Sequence, residues 1–249
     1  MIKRFLKSIA EGIGYNVQNT KYILKPFLQN TAVLKLEFDH VLCKYLIESP
    51  DPENFKFIQV GAFDGVECDP LRKYLLRYDW QGILLEPQPG PFLKLKSQYE
   101  SRDRLNVVNA AISRNVGKTD LYILEGNSLP EWTKGMASFS LDNILKHEYL
   151  IKDLASFIRQ VRIDTTTFDN LFERFRWSGL DLLQIDTEGF DAEVIKMFPF
   201  SKIKPSIIHF ESKHINKPDL ENLLASLIQL GYVVAHDRDE DMMAVLSQR

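Results

Sequence analysis

Cysteine is nearly missing from this sequence. Cys43 and Cys68 are the only two, with no CxxC pair and no zinc-ligand spacing. That excludes a disulfide framework and points to a reducing compartment. Long apolar runs are missing as well, so no segment is expected to span a bilayer. The N-terminal Met1-Ile2-Lys3-Arg4-Phe5-Leu6-Lys7 has the charge of a secretory signal without an adequate apolar stretch after it, and a cytoplasmic protein is expected. A basic excess is also lacking: 31 Lys and Arg stand against 34 Asp and Glu, a net charge of -3. This argues against a surface that tracks nucleic-acid phosphates, and no nucleic-acid partner is expected. Internal repeats and low-complexity tracts are absent. What is present is 45% hydrophobic and 26% charged residues of both signs over 249 positions, enough for one substantial core with an appended segment.

The hydrophobic pattern divides the chain near residue 50. Residues 2 to about 48 read as helical, with Ile2, Phe5, Leu6 and Ile9, then Leu34, Phe38, Val41, Leu42, Tyr45 and Leu46, at helical spacing. Pro26 breaks the stretch into two or more helices. Residues 1–50 are thus an N-terminal helical extension and 51–249 an α/β domain. The short apolar face of the first helix favours packing on the domain or a partner, a homodimer included, with weak peripheral membrane contact as the alternative.

Beyond Ser49-Pro50-Asp51-Pro52, strands and helices alternate. Strands are expected at 55–60, 82–85, 105–108, 121–124, 180–185 and 206–210, the one at 121–124 near an edge. Helices are expected from about 69 to 78, 91 to 99, 192 to 197 and 219 to 230. Residues 232–235 and 242–246 form a closing hairpin, and 125–160 are irregular, a candidate lid. Near-continuous apolar strands separated by helices imply a Rossmann-like, mostly parallel seven-stranded sheet covered on both faces.

Two strand ends carry the chemistry. Val60-Gly61-Ala62-Phe63-Asp64-Gly65 follows the first strand, and its glycines permit a tight turn and a close ligand approach. The next strand ends in Glu86-Pro87, placing an acid where ribose hydroxyls need a bidentate acceptor. The turn lacks G-x-G-x-x-G, and Asp64 would repel a pyrophosphate, which disfavours a nicotinamide dinucleotide. A cofactor with a sulfonium and an amino group would instead favour an acid there. Further along, the run from Asp181 to Asp191 delivers Asp186 and Glu188 to the carboxyl edge of the sheet, where ligands of open α/β sheets bind. His209 and Glu211 share a face of the following strand and reach the same edge.

Together these residues resemble the FkbM family of methyltransferases. The resemblance rests on VGAFDGVECDP, GILLEPQP, NAAIS, the SFS at Ser138, LDLLQIDTEGFDAEVI and IIHFE, in that order and spacing. It implies a class I methyltransferase fold and an S-adenosylmethionine-dependent O-methyltransferase acting on hydroxyls of sugars, polyketides and related metabolites. By that resemblance Gly61, Ala62, Asp64 and Gly65 surround the methionine part of the cofactor. Glu86 takes the ribose, with Pro87 and Gln88 beside it. Asn109 and Ala110 lie by the adenine, and Asp186 sits nearest the transferred methyl. The expected acceptor is a small-molecule or glycan hydroxyl.

An aliphatic hydroxyl is a poor nucleophile, so a base within hydrogen-bond reach should assist. Asp186 ranks first and His209 second, with Glu188 and Glu211 to orient the acceptor or the imidazole, or to share a metal; a resident metal is not required. Asp191 reads as a partner for the positive end of the helix it begins. His40, His147, His214 and His236 read as surface or packing residues. Tyr122, Trp132 and Phe139 are core residues or, less readily, stacking groups over the site. A nicotinamide-dependent oxidoreductase and a non-catalytic Rossmann-like module are the competing readings.

Overall fold

The computed structural model describes residues 25–28, 31–130, 133, 135–237 and 240–247. The expected first helix and Trp132 lie outside them. The chain begins with strands β1 (Lys25–Leu28) and β2 (Thr31–Lys35), then helix α1 (Phe38–Glu48) and strand β3 (Lys56–Val60). Next come α2 (Arg72–Leu75), β4 (Gln81–Leu85), α3 (Pro89–Tyr99), β5 (Leu105–Val108), β6 (Ala111–Ile112) and β7 (Gly117–Leu124). After β8 (Ala137–Ser138), α4 (Leu141–Leu145) and β9 (Ile158–Thr166), the order is α5 (Phe168–Phe175), β10 (Leu182–Ile185), α6 (Asp191–Met197) and β11 (Ile207–Glu211). The elements close with α7 (Lys217–Gln229), β12 (Tyr232–His236) and β13 (Asp241–Leu246).

Seven strands in the order β12-β13-β11-β10-β3-β4-β5 form the centre of the main sheet. Strands β11, β10, β3, β4 and β5 are mutually parallel, while β13 runs antiparallel to both β11 and β12. This is the expected doubly wound sheet with its closing hairpin. The order reverses between β3 and β10, and their carboxyl ends flank the crevice where such sheets bind ligands.

Two corrections concern the chain termini of the pattern. Residues 25–28 and 31–35 were expected to be helical and are strands, extending the sheet beyond β12. Thr31 and Val33 are β-branched, and the edge of β12 offers backbone partners, to which Leu36 N–H also donates at the His236 carbonyl, 2.7 Å. Helix α1 is as expected, burying Phe38, Val41 and Leu42 against Phe57, Leu182, Ile207 and Met243 on one face of the sheet. The opposite face carries Ile58, Val60, Ile185, Ile208 and Phe210 against α5, α6 and α7.

The third correction is the middle of the chain. The strand expected at 121–124 does not border the main sheet but belongs to a second one, ordered β6-β9-β7-β8. The irregular stretch ends in β9, which pairs antiparallel with β7 from Ile158 to Thr165. Its Arg159, Arg162 and Asp164 interrupt the apolar residues; Ile163 joins Ala111, Leu121 and Ile123 in a small separate core, with half-buried Val161 packed against it. Helix α2 is shorter than expected. Asp69 Oδ1 accepts from Leu71 N–H at 2.8 Å, and single turns continue to Tyr78.

Candidate active site

The site is built where β3 and β10 touch. Gly61, at the end of β3, has φ +80, and a Cβ there would stand 1.7 Å from the Asp186 carbonyl oxygen. Only glycine permits that approach. Asp186 N–H donates to the Val60 carbonyl (2.9 Å), and both Gly61 and Ala62 N–H donate to the Leu85 carbonyl (3.0 Å). The ends of β3, β4 and β10 are thereby drawn to one point.

Glu86 caps the end of β4 and is 3% exposed. Its Oε1 accepts from Gln88 N–H (2.8 Å) and its Oε2 from Phe63 N–H (2.9 Å), leaving further lone pairs on each oxygen. Burial lifts this carboxyl to about 7 against the pull of those two donors. Asn109 Nδ2 donates to the carbonyls of Glu86 (2.7 Å) and Pro87 (3.1 Å), fastening the β4 and β5 ends together.

These strand ends enclose a cavity of about 290 Å³. Of the residues expected around the cofactor, Gly61, Glu86, Pro87, Gln88, Ala110 and Asp186 line it. Ala62, Asp64, Gly65 and Asn109 are not among its lining residues. They build the frame: buried Asp64 accepts from Val66 and Glu67 N–H (2.9 and 3.0 Å), and Gly65 packs so closely that a Cβ would meet Leu95 at 2.7 Å. Of the segment expected as a lid, residues between 135 and 143 border this cavity. Ser138, Phe139 and Asn143 face the cavity, and Gln88 Nε2 donates to the Gly135 carbonyl at 2.9 Å. Phe139 meets Phe190 edge-on, with centroids 5.0 Å apart. Tyr122 instead packs with Ile144, Ile151 and Leu154.

A second cavity, of about 940 Å³, lies on the α1 face of the sheet. Its walls include Gln184, His209, Glu211, Asp237 and Asp241. Among the described residues, Asp186 alone lines both cavities. It is open to them and ringed by protein elsewhere; desolvation, then the charges of Asp191, Glu188, Asp241 and Glu86, raises it to about 7. Glu211 is raised to about 8 by desolvation and by Asp186, Glu188 and Asp191.

His209 is 3% exposed and spans two acceptors. Nδ1 lies 2.8 Å from Gln184 Oε1 and Nε2 3.1 Å from Asp237 Oδ2, while Phe38 stacks on the ring at 4.4 Å. Both ring nitrogens are committed to the protein. Asp191 is fully buried and does more than begin α6: it accepts from Thr187 N–H, Thr187 Oγ1 and Glu211 N–H. Glu188 adopts φ +52, is exposed, and stands 3.7 Å from His214 Nε2.

Sequence reasoning missed three contributors. His214 reaches Glu188 and, at 4.0 Å, Glu211; Asp237 holds His209; Asp241 pairs with Glu211 across β11 and β13. Asp237 and Asp241 look like turn residues, and the hairpin's pairing brings them to the site, while His214 follows β11 directly, three residues after Glu211.

A family model described as the methyltransferase FkbM domain matches residues 59–234. The chain belongs to the FkbM methyltransferase family. Its relatives include the 2-O-methyltransferase NoeI of Sinorhizobium fredii, 24% identical over 196 residues, 78% of this chain and 70% of that one. Among solved structures, the methyltransferase FkbM of Methylobacillus flagellatus is 15% identical with a TM-score of 0.49, covering 78% of this chain and 44% of that one. An O-methyltransferase of Bacillus cereus in complex with SAH is 10% identical with a TM-score of 0.44, covering 98% and 93%.

As an FkbM methyltransferase the protein uses S-adenosylmethionine, which sets aside the nicotinamide oxidoreductase reading. The residues present fit that cofactor: a glycine cradle that a Cβ would close, and a buried carboxylate with unused lone pairs at the neighbouring strand end. Among the described residues, no helix is long and apolar enough to cross a membrane.

Proposed function

We propose that this FkbM methyltransferase methylates a hydroxyl of a sugar or glycosylated metabolite, with Asp186 as the base. The observation that carries the reading is the position of Asp186, the one described residue that lines both cavities. The smaller cavity takes the cofactor. Glu86 accepts from the ribose hydroxyls, Pro87, Gln88 and Ala110 bound the adenine side, and Gly61 leaves room for the methionine part. The bound sulfonium supplies an electrophilic methyl group. The chain's own work is to align the acceptor oxygen in line with that methyl and to exclude water.

With S-adenosylmethionine bound as methyl donor and its thioether as the leaving group, Asp186 would take the proton of the acceptor hydroxyl. A carboxylate raised to about 7 suits this task, because it is a stronger base than an ordinary aspartate and is still about half ionised at neutral pH. His209, with both nitrogens engaged, is a positioning residue that holds Gln184 and Asp237 beneath the acids. Glu188 and Glu211 flank Asp186 and orient the acceptor. The relative described as a 2-O-methyltransferase supports oxygen as the atom methylated.

The test combines calorimetry with labelled turnover. S-adenosylmethionine or its demethylated product should bind, and Glu86→Ala should weaken that binding at least tenfold. Isotopically labelled S-adenosylmethionine should label a saccharide acceptor in a panel, and Asp186→Asn should abolish the label. Failure of both ligands to bind at millimolar concentration would remove the reading.

A further inference from the structure

The larger cavity has a chemical character of its own. Its floor is fixed: Gln184, His209 and Asp237 hold one another, and Phe38 N–H donates to Asp237 Oδ1 at 2.8 Å. Above that floor stand Asp186, Glu211 and Asp241, at the ends of three adjacent strands. Glu211 Oε2 is buried and has no hydrogen-bond partner; His214 Nε2, at 4.0 Å, is at ion-pair distance but beyond hydrogen-bond distance. On the α2 side, Asp69 Oδ2 is likewise buried and unpartnered. Gln59, 3% exposed, gives its amide nitrogen to Asp69 Oδ1 (3.0 Å), while its own Oε1 finds no donor. Unpartnered buried acceptors are uncommon in folded proteins and ask for a donor.

Among the described residues, three cations line the same cavity, and two of them are engaged. Lys73 pairs with Asp39, and Arg72 donates to the Gly65 carbonyl at 2.8 Å. Lys35 is exposed at the rim. A phosphate or carboxylate on the acceptor would face like charge here. Hydroxyls would find acceptors, and an ammonium would find both acceptors and opposite charge.

We infer that the larger cavity is the acceptor site and that it selects an amine-bearing saccharide, with the ammonium paired to Glu211 and ring hydroxyls donating to the other acids. The inference rests on the proposed methyltransferase reading and adds the charge of the substrate. Crowding agrees with it: desolvation and neighbouring acids hold Glu211 well above the usual carboxylate range, and a bound cation relieves that repulsion.

The test uses one sugar ring in three charge states. Methyl glucosaminide, methyl glucoside and methyl glucuronide are titrated by NMR into the full chain saturated with S-adenosylhomocysteine. The expected affinities fall in that order, with at least a tenfold span from first to last. Glu211→Gln should collapse the span below about threefold, and Asp69→Asn should weaken the glucosaminide and the glucoside alike. Binding of S-adenosylhomocysteine in the same samples reports whether each variant keeps its fold. Equal affinities, or preference for the glucuronide, would overturn the inference, as would Mg²⁺ alone titrating the site with a Glu211-dependent signal. If the wild type fails to bind S-adenosylhomocysteine, the methyltransferase reading fails instead. If it binds that ligand and none of the sugars, only this inference fails.

Discussion

Replacing Glu86 by glutamine should make the ligand-free protein lose less stability as pH rises and make it a poorer binder of its cofactor. Glu86 is 3% exposed, and burial moves its carboxyl from 4.5 to about 7. At about 1.4 kcal/mol for each tenfold change in proton affinity, the ionised form is held in the fold at a cost of about 3 kcal/mol relative to the unfolded chain. The folded value is raised, so the stability contribution is present in full below 4.5 and disappears as pH climbs through 7. Glutamine removes the charge at every pH, but its amide nitrogen cannot accept, so the N–H of either Phe63 or Gln88 loses its partner. Urea unfolding of both proteins between pH 4.5 and 8.5 supplies a difference curve, in which the other raised acids cancel. It should start against Glu86→Gln by the loss of that one bond, about 1–3 kcal/mol, and move by about 3 kcal/mol in its favour by pH 8. With S-adenosylhomocysteine present the order should narrow or reverse, because charge-assisted bonds to the ribose, about 1.5–3 kcal/mol each, are weakened. Parallel curves across the whole pH range would refute the argument, since they would mean that Glu86 pays no penalty for its burial.

Three further outcomes follow from the same geometry. Gly61→Ala forces a side chain to within 1.7 Å of the Asp186 carbonyl at a φ of +80, so it should lower unfolding stability by about 3 kcal/mol or more, read by chemical denaturation. Asp186→Asn should lower turnover about 10²- to 10⁴-fold while S-adenosylhomocysteine still binds. The wild-type kcat/KM should rise with pH through about 7, where Asp186 becomes ionised, and a flat profile would exclude it as the base. Gln88→Ala removes the 2.9 Å bond to Gly135, so cofactor release in stopped flow should quicken severalfold, about the effect of one hydrogen bond of roughly 1 kcal/mol.

Much of the fold was legible because its parallel strands are apolar almost throughout and end in glycine or acid. Gly61, Glu86 and Asp186 could be named from their place at strand ends, and the seven-stranded sheet followed from the alternation around them. What escaped depends on distant partners. Val33 sits in a strand only because β12 has an open edge to pair with, and Leu34 fits a helical stripe equally well. Strand β9 hides behind Arg159, Arg162 and Asp164, whose exposure is decided by β7 beside them. Asp237 and Asp241 read as hairpin residues until the pairing of β13 with β11 carries them to Glu211 and His209. His209 itself read as a candidate base, and that reading lacked the two acceptors, 25 and 28 residues away, that occupy its nitrogens.

The buried polar row beneath the larger cavity bears on folding as well as on chemistry. Gln59, Gln184 and His209 occupy matched positions on β3, β10 and β11. These strands are covered on both faces, so the alternation of apolar and polar residues that sets register in half-exposed sheets is largely unavailable to them. A slip by one residue in β10 would carry Gln184 to the face of Ile58 and Phe210 and strip His209 of its partner. Each displaced polar group would then lie buried without a hydrogen bond. The row therefore acts as an alignment key for the centre of the sheet. A substitution such as Gln184→Leu should leave the core well packed while making the pairing of its strands less unique.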